Sequence, residues 1–183
     1  TLRRVLDRAA AMGYRVKAAV EYEFFVFDET PDSVREKGYR NLKPITPGYF
    51  GYSVLRNSVW SEFYLELLDF SIEGLHTETG PGVIEAALTV DEALAAADKA
   101  ALFKTFAKVV AQRRNLMATF MAKWSPDWPG QSGHIHVSLI DEEGQSVFHD
   151  PAAEGGMSVK MRQFVGGQQA LLPEVLGMVA PTV

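Results

Sequence analysis

Apolar and polar positions alternate along the chain in two periods, and the change between them marks the elements. Leu2–Met12 repeats at the helical period and is stopped by Gly13, which predicts a short amphipathic helix. Ala18–Asp28, AAVEYEFFVFD, is a run of β-formers: Val20, Phe24, Phe25, Val26 and Phe27 predict a buried strand. Glu29–Gly51 is polar and turn-rich, with Pro31, Gly38, Pro44, Pro47 and Gly48. It is long for a plain connection and reads as a functional loop beside a site. Arg56–Asp69 predicts a helix, with Val59, Phe63 and Leu67 four apart and Phe70 just beyond. Ser71–Glu78 and Val83–Leu88 predict two strands around the turn Thr79-Gly80-Pro81-Gly82. From Thr89 to about Met117 the spacing predicts a long helix. Thr89 and Glu92 would form its capping box, and Phe103, Phe106, Ala107 and Val110 its apolar stripe. Ala118–Lys123 reads as a further strand and Trp124–Gly130 as a loop with two prolines. Ser132–Ile140 alternates as a strand, with Ser146–Phe148 as its hairpin partner across the turn Asp141–Gln145. Met157–Leu172 and Glu174–Val179 predict two helices. Hairpin-paired strands flanked by long helices place the chain in the α+β class with an antiparallel sheet.

Composition narrows the function. The 183 residues suffice for one sizeable core, or a domain and a half. The hydrophobic share of 47% and charged share of 22% are those of an ordinary globular protein. A net charge of -5, with no Lys/Arg cluster, argues against nucleic acid as the main partner. The absence of cysteine excludes disulfides and thiolate metal sites and fits a cytoplasmic protein. No apolar run approaches the roughly 20 residues of a membrane span, and no signal peptide is visible. The chain opens at Thr1 already in a helical pattern and ends at Ala180-Pro181-Thr182-Val183 without a tail, so a piece of a longer protein is expected.

The chemistry concentrates on the strands. Glu21 and Glu23 share one strand face two residues apart. Two like charges on an apolar strand are costly unless a positive group lies beside them, and a divalent cation is one answer; a solvated face with two ordinary glutamates is the other. Glu78 and Glu85 flank the Thr79–Gly82 turn, and a tight hairpin brings their carboxylates over one face. His134 and His136 share a face with Ser132 and Ser138, an arrangement equally open to a polar sheet face. Four carboxylates with one or two imidazoles suit Mg²⁺ or Mn²⁺ better than Zn²⁺. That much negative charge calls for two to three ions, and paired ions clamp the oxygens of a transferring phosphoryl group. The residue reading reaches metal-assisted phosphoryl chemistry, with an unrelated phosphohydrolase still open.

The motifs EYEFFVFD, HTETGPGVIEAAL and MAKW…PGQSGHIHVSL, in that order, resemble the catalytic domain of the glutamine synthetase family, which includes ligases that join glutamate to amines. The resemblance runs from Gly13 to Val183. It implies an antiparallel half-barrel sheet flanked by helices, here a partial catalytic domain (1–183). It implies ligation of glutamate with ammonia or a small amine through γ-glutamyl phosphate, with ATP as co-substrate, and assembly as a ring-type homo-oligomer, a dodecamer in the family. Position by position, Glu23, Glu78 and Glu85 match ligands of the metal on the ammonium and glutamate side. Glu21 and His134 match ligands of the metal bridging the ATP phosphates. His136, Ser138 and Glu73 match nucleotide contacts. Strict alternation sets Glu73 on the opposite face from Glu78, so a bulge near Gly74 is required. Tyr49 matches an aromatic at the amine pocket, and Gly130 a backbone contact to glutamate. Pro129 stands where ammonia-using members commonly have asparagine, which favours an organic amine. The family continues beyond the Val183 position into phosphate-stabilising arginines and one more metal-ligating glutamate, and has a small N-terminal domain, so residues 1–183 alone are expected to be inactive. A family fold kept as a non-catalytic scaffold is the alternative.

Overall fold

The computed structural model describes residues 1–180; the chain end at Pro181–Val183 lies outside the described residues. In chain order the elements are α1 (Leu2–Ala11), β1 (Arg15–Phe27), α2 (Pro31–Glu36), α3 (Val54–Val59), α4 (Ser61–Leu68), β2 (Ile72–Thr77), β3 (Val83–Leu88), β4 (Asp91–Glu92), α5 (Ala93–Arg113), β5 (Met117–Thr119), β6 (Gly133–Ile140) and α6 (Val159–Val179), with one 3₁₀ turn at Glu154–Gly156. They form two compact units, Ala19–His136 and Thr1–Ala18 with Val137 onward.

The larger unit is an α+β layer built on β1. The six-stranded sheet runs β2-β3-β1-β4, with β5 and β6 also pairing with β1. The pairings of β1 with β3 and β5, and of β2 with β3, are antiparallel. Register sets the faces. Tyr22 lies opposite Ala86 and Phe24 opposite Ile84, and these side chains enter the main core with Val26 and Leu88. Phe63, Tyr64 and Leu67 of α4, with Ala100, Phe103, Ala107, Val110 and Ala111 of α5, close that core. Aromatic rings interlock there: Phe24 stacks on Phe120 at 5.0 Å and meets Phe103 edge-on at 6.0 Å. Phe24 and Phe103 are essentially fully buried, and truncating either to alanine costs about 3–5 kcal/mol. The other face of β1 changes character along its length. Phe25 and Phe27, with Val83, form a small apolar cluster with Leu42, Met117 and Trp124. Glu21 and Glu23 precede them on the same face, opposite Ala87 and Glu85.

Several expected elements are built differently. The loop after β1 contains α2, capped by reciprocal hydrogen bonds between Thr30 and Ser33. The helix expected over Arg56–Asp69 is two, broken at Trp60, whose indole Nε1 donates to the Ile45 carbonyl at 3.1 Å. No capping box opens α5: Thr89 Oγ1 donates instead to the Ser71 carbonyl at 2.8 Å, and Asp91–Glu92 are drawn into the sheet as β4. Phe106 is 39% exposed and stacks on Phe70 outside the main core stripe. The Ala118–Lys123 strand shortens to β5.

In the other unit, Gly13, at φ 83°, ends α1, and the amides of Gly13 and Tyr14 return to the Ala10 and Ala9 carbonyls. Ser146–Phe148 is reduced to a bridge, with Ile140 opposite Ser146 and the Val147 amide donating to Leu139. The two helices expected at the end are one, α6, with Pro173 inside it. Among the described residues no helix is long and apolar enough to cross a membrane.

Candidate active site: a carboxylate–imidazole face

The face of β1 that carries Glu21 and Glu23 gathers most of the expected ligands. Glu23 lies directly opposite Glu85, and His76 of β2 lies opposite Glu85 on its other side. Like charges directly opposed across strands repel, so Glu23 and Glu85 need positive company. β6 brings hydrogen-bonding groups to the same face. Its His134 Nδ1 and His136 Nε2 approach the same Glu21 oxygen, at 3.3 and 3.2 Å. The Ser132 amide donates to Glu23 Oε2 at 3.0 Å. Across the hairpin, His76 Nε2 stands 3.3 Å from Glu85 Oε1, and His76 Nδ1 stands 3.6 Å from Glu78 Oε1.

Among the described residues, two groups of three could hold a cation. The ligating atoms of Glu21, Glu85 and His134 lie within 4.8 Å of one another, as do those of His76, Glu78 and Glu85. Opposed oxygen ligands of a magnesium-sized ion stand about 4.2 Å apart, so modest side-chain closure completes either group. The donor chemistry fits: hard carboxylate oxygens dominate, with one imidazole per group. His76 Nδ1 is buried and without a hydrogen-bond partner. Burial, and then the Glu21, Glu78 and Glu23 charges, push the Glu85 carboxyl above its usual range, against the pull of His76. A carboxylate so crowded by its own sign is suited to a cation.

The remaining expected residues fall in three places. The bulge required near Gly74 is present: Ile72 pairs with Leu88 and Gly74 with the next residue, Ala87, which leaves Glu73 as the extra residue. Glu73 is exposed. Tyr49 is 58% exposed and meets Trp128 edge-on at 5.5 Å. Trp124, the other loop tryptophan, does not join it; its ring packs edge-on against Phe27 at 5.0 Å, in the small apolar cluster. At Gly130 a Cβ would come 2.7 Å from the Ala122 carbonyl oxygen, so the backbone passes where no side chain fits. Ser138 follows His136 on β6, in the other unit, and is exposed.

Two residues of this face were not singled out from the sequence. His76 sits two residues before Glu78 inside HTETGPG, and strand alternation alone places it on the same face. Tyr52 carries no local signal. It reaches the site because its loop folds onto β2, where its hydroxyl donates to Glu78 Oε1 at 2.7 Å. That bond, and the Glu78 charge, raise the phenol above its ordinary range and keep it a donor.

The sequence profile of the glutamine synthetase catalytic domain matches residues 1–183. The chain belongs to the glutamine synthetase family. It is 41% identical to type-1 glutamine synthetase 2 of Dictyostelium discoideum, over 100% of this chain and 36% of that protein. It is 34% identical to the glutamate–isopropylamine ligase of a Pseudomonas species, over 100% of this chain and 41% of that one. Its fold matches the solved GmaS/ADP complex with a TM-score of 0.86 at 29% identity, covering all of this chain and 42% of that one. The chain thus spans about two-fifths of the length of these relatives. The glutamine synthetase kinship agrees with the α+β, antiparallel open sheet.

Proposed function

We propose that the protein containing this chain is an ATP-dependent ligase that joins the γ-carboxyl of glutamate to ammonia or an amine through γ-glutamyl phosphate. The observation that carries the reading is the gathering of Glu21, Glu23, Glu78, Glu85 and His134 on one sheet face. These five residues would hold two to three Mg²⁺ or Mn²⁺ ions. Four carboxylate charges are neutralised by two such ions, and a third would offset part of the charge that ATP brings. The ions, when bound, offset phosphate charge as the phosphoryl group moves between oxygens. His136 stands beside Glu21 at the nucleotide side. Glu73 joins it as a nucleotide contact on the strength of the motif match. The Gly130 backbone, kept free of side chain by the close Ala122 carbonyl, contacts glutamate. The full assembly is a ring-type homo-oligomer in the cytoplasm.

The amine is organic rather than ammonia on this reading. Pro129 offers neither a side-chain amide nor a backbone donor, and the adjacent Trp128–Tyr49 pair presents aromatic faces suited to cationic or apolar amines. The name of the Pseudomonas relative, a glutamate–isopropylamine ligase, points the same way. The test is phosphate release by the full-length enzyme with ATP, glutamate and Mn²⁺, comparing kcat/KM for ammonium, methylamine, isopropylamine, ethanolamine and putrescine. An organic amine is expected to lead. Ammonium ahead by tenfold, about 1.4 kcal/mol of transition-state discrimination, contradicts the amine assignment. Phosphate release with none of them contradicts the ligase.

A further inference from the structure

Tyr52 is an exposed aromatic with an unusual amount of its geometry committed. Its backbone is left-handed, at φ 59°, a region that a tyrosine enters only when its surroundings hold it there. Its amide donates to the Thr77 carbonyl at 2.7 Å, and the next amide, of Ser53, donates to Thr77 Oγ1 at 3.3 Å. Thr77 Oγ1 in turn donates to the Phe50 carbonyl at 3.3 Å. The preceding Gly51 lies so close to β2 that a Cβ there would come 3.1 Å from the Glu78 carbonyl carbon and the Thr79 amide. The loop is thereby clamped to the end of β2, and the clamp aims the tyrosine at the acidic face. The ring lies over His76, with centroids 4.9 Å apart and planes 31° from parallel, while the hydroxyl reaches Glu78 Oε1. Glu78 Oε2 accepts from the Thr79 amide at 3.1 Å. Both Glu78 oxygens are therefore oriented from outside the cluster, and each keeps a lone pair for a cation. Tyr52 is 66% exposed, so the burial of apolar area does not account for this arrangement.

We propose that Tyr52 is a positioning residue of the metal site: its hydroxyl sets the Glu78 carboxylate and its ring sets the His76 imidazole, so that the Glu78 carboxylate and His76 Nε2 are held beside Glu85. Donors that orient a ligand from behind raise metal affinity because less side-chain freedom is lost on binding. The inference rests on the reading of this face as the metal site of the ligase, and the test separates the two. In the full-length protein, Mn²⁺ affinity is titrated by calorimetry for the wild type, Tyr52→Phe and Tyr52→Asn, alongside thermal unfolding in EDTA. The phenylalanine keeps the ring and loses the donor. Asparagine tolerates the left-handed backbone, so that variant folds while losing the ring. Both are expected to raise the Mn²⁺ Kd about tenfold, with kcat falling more than the glutamate KM rises and the EDTA unfolding temperature unchanged. A Kd within twofold of wild type in both variants overturns the positioning role. So does a Kd rise matched by a fall in EDTA stability, which marks a merely structural contact. Affinity losses as expected in a protein that forms no γ-glutamyl product leave Tyr52 in place and remove the ligase reading instead. No saturable Mn²⁺ binding by the wild type removes both.

Discussion

Replacing Glu85 by glutamine should have opposite effects on the empty and the loaded protein. Glu85 is shared by both three-residue groups, and its oxygens lie within 4.8 Å of the Glu21 and Glu78 ligand atoms. Two unit charges at that separation repel by about 3.5 kcal/mol at an effective dielectric of about 20, which is an upper figure for a site partly open to water. The His76 Nε2 contact at 3.3 Å gives part of it back, leaving a net relief of about 1–2 kcal/mol when the charge is removed. Glutamine keeps the shape and one oxygen for His76. In EDTA, Glu85→Gln should therefore melt above the wild type. With Mn²⁺ at a hundred times its wild-type Kd, the wild type gains about 2.7 kcal/mol from mass action. The variant, with affinity lowered tenfold or more, should gain at least about 1.3 kcal/mol less. The assay is paired thermal unfolding of full-length protein, with EDTA and with Mn²⁺. A variant that is less stable in EDTA and keeps its full Mn²⁺ gain would refute the argument, because Glu85 would then be a structural partner of His76.

Two further substitutions probe the neighbours. Glu23→Ala should weaken Mn²⁺ binding at least tenfold and stop amide formation, measured by calorimetry and phosphate release; unchanged turnover removes Glu23 from the site. Glu29, 3% exposed, accepts from Lys37 Nζ at 2.5 Å, Ser33 Oγ at 2.6 Å and the Lys43 amide at 2.8 Å. Burial pushes its carboxyl up, but these donors outweigh it and hold the group below the usual range. A lowered folded pKa gives stability that is present above the unfolded value and lost as the pH falls through the folded one. Glu29→Gln should thus cost about 2–3 kcal/mol at pH 7, and its gap to wild type in thermal unfolding should close on acidification below the usual carboxylate range. An equal gap at pH 7 and pH 3 contradicts the assignment.

Strand faces were the most readable part of this chain. Alternation put Glu21 with Glu23 and His134 with His136, and the Thr79–Gly82 turn put Glu78 near Glu85: Glu21 and Glu23 lie on one face of β1, both imidazoles approach Glu21, and ligand atoms of Glu78 and Glu85 lie within 4.8 Å. The bulge at Glu73 was also readable, because two motif residues on opposite parities needed one. His76 could have been found by the same rule. Tyr52 could not: only the clamp of residues 50–53 on Thr77 and Glu78 brings it to the site, and a tertiary contact of that kind leaves no periodicity. Helix ends failed for a related reason. Thr89 and Glu92 have the capping-box spacing, yet Ser71 takes the Thr89 hydroxyl and the sheet takes Asp91–Glu92. Trp124 and Trp128 look equivalent in sequence, and only packing assigns one to the Phe27 cluster and the other to Tyr49.

The central claim is that this acidic face holds the divalent ions of an ATP-dependent glutamate ligase. Anomalous diffraction at the manganese edge, on crystals of the full-length protein with saturating Mn²⁺ and an ATP analogue, tests it most directly. Manganese peaks are expected roughly 2.1 Å from ligand atoms of Glu21 and His134, and of Glu78 and Glu85. Strong manganese density elsewhere, with none at these side chains, would contradict the claim.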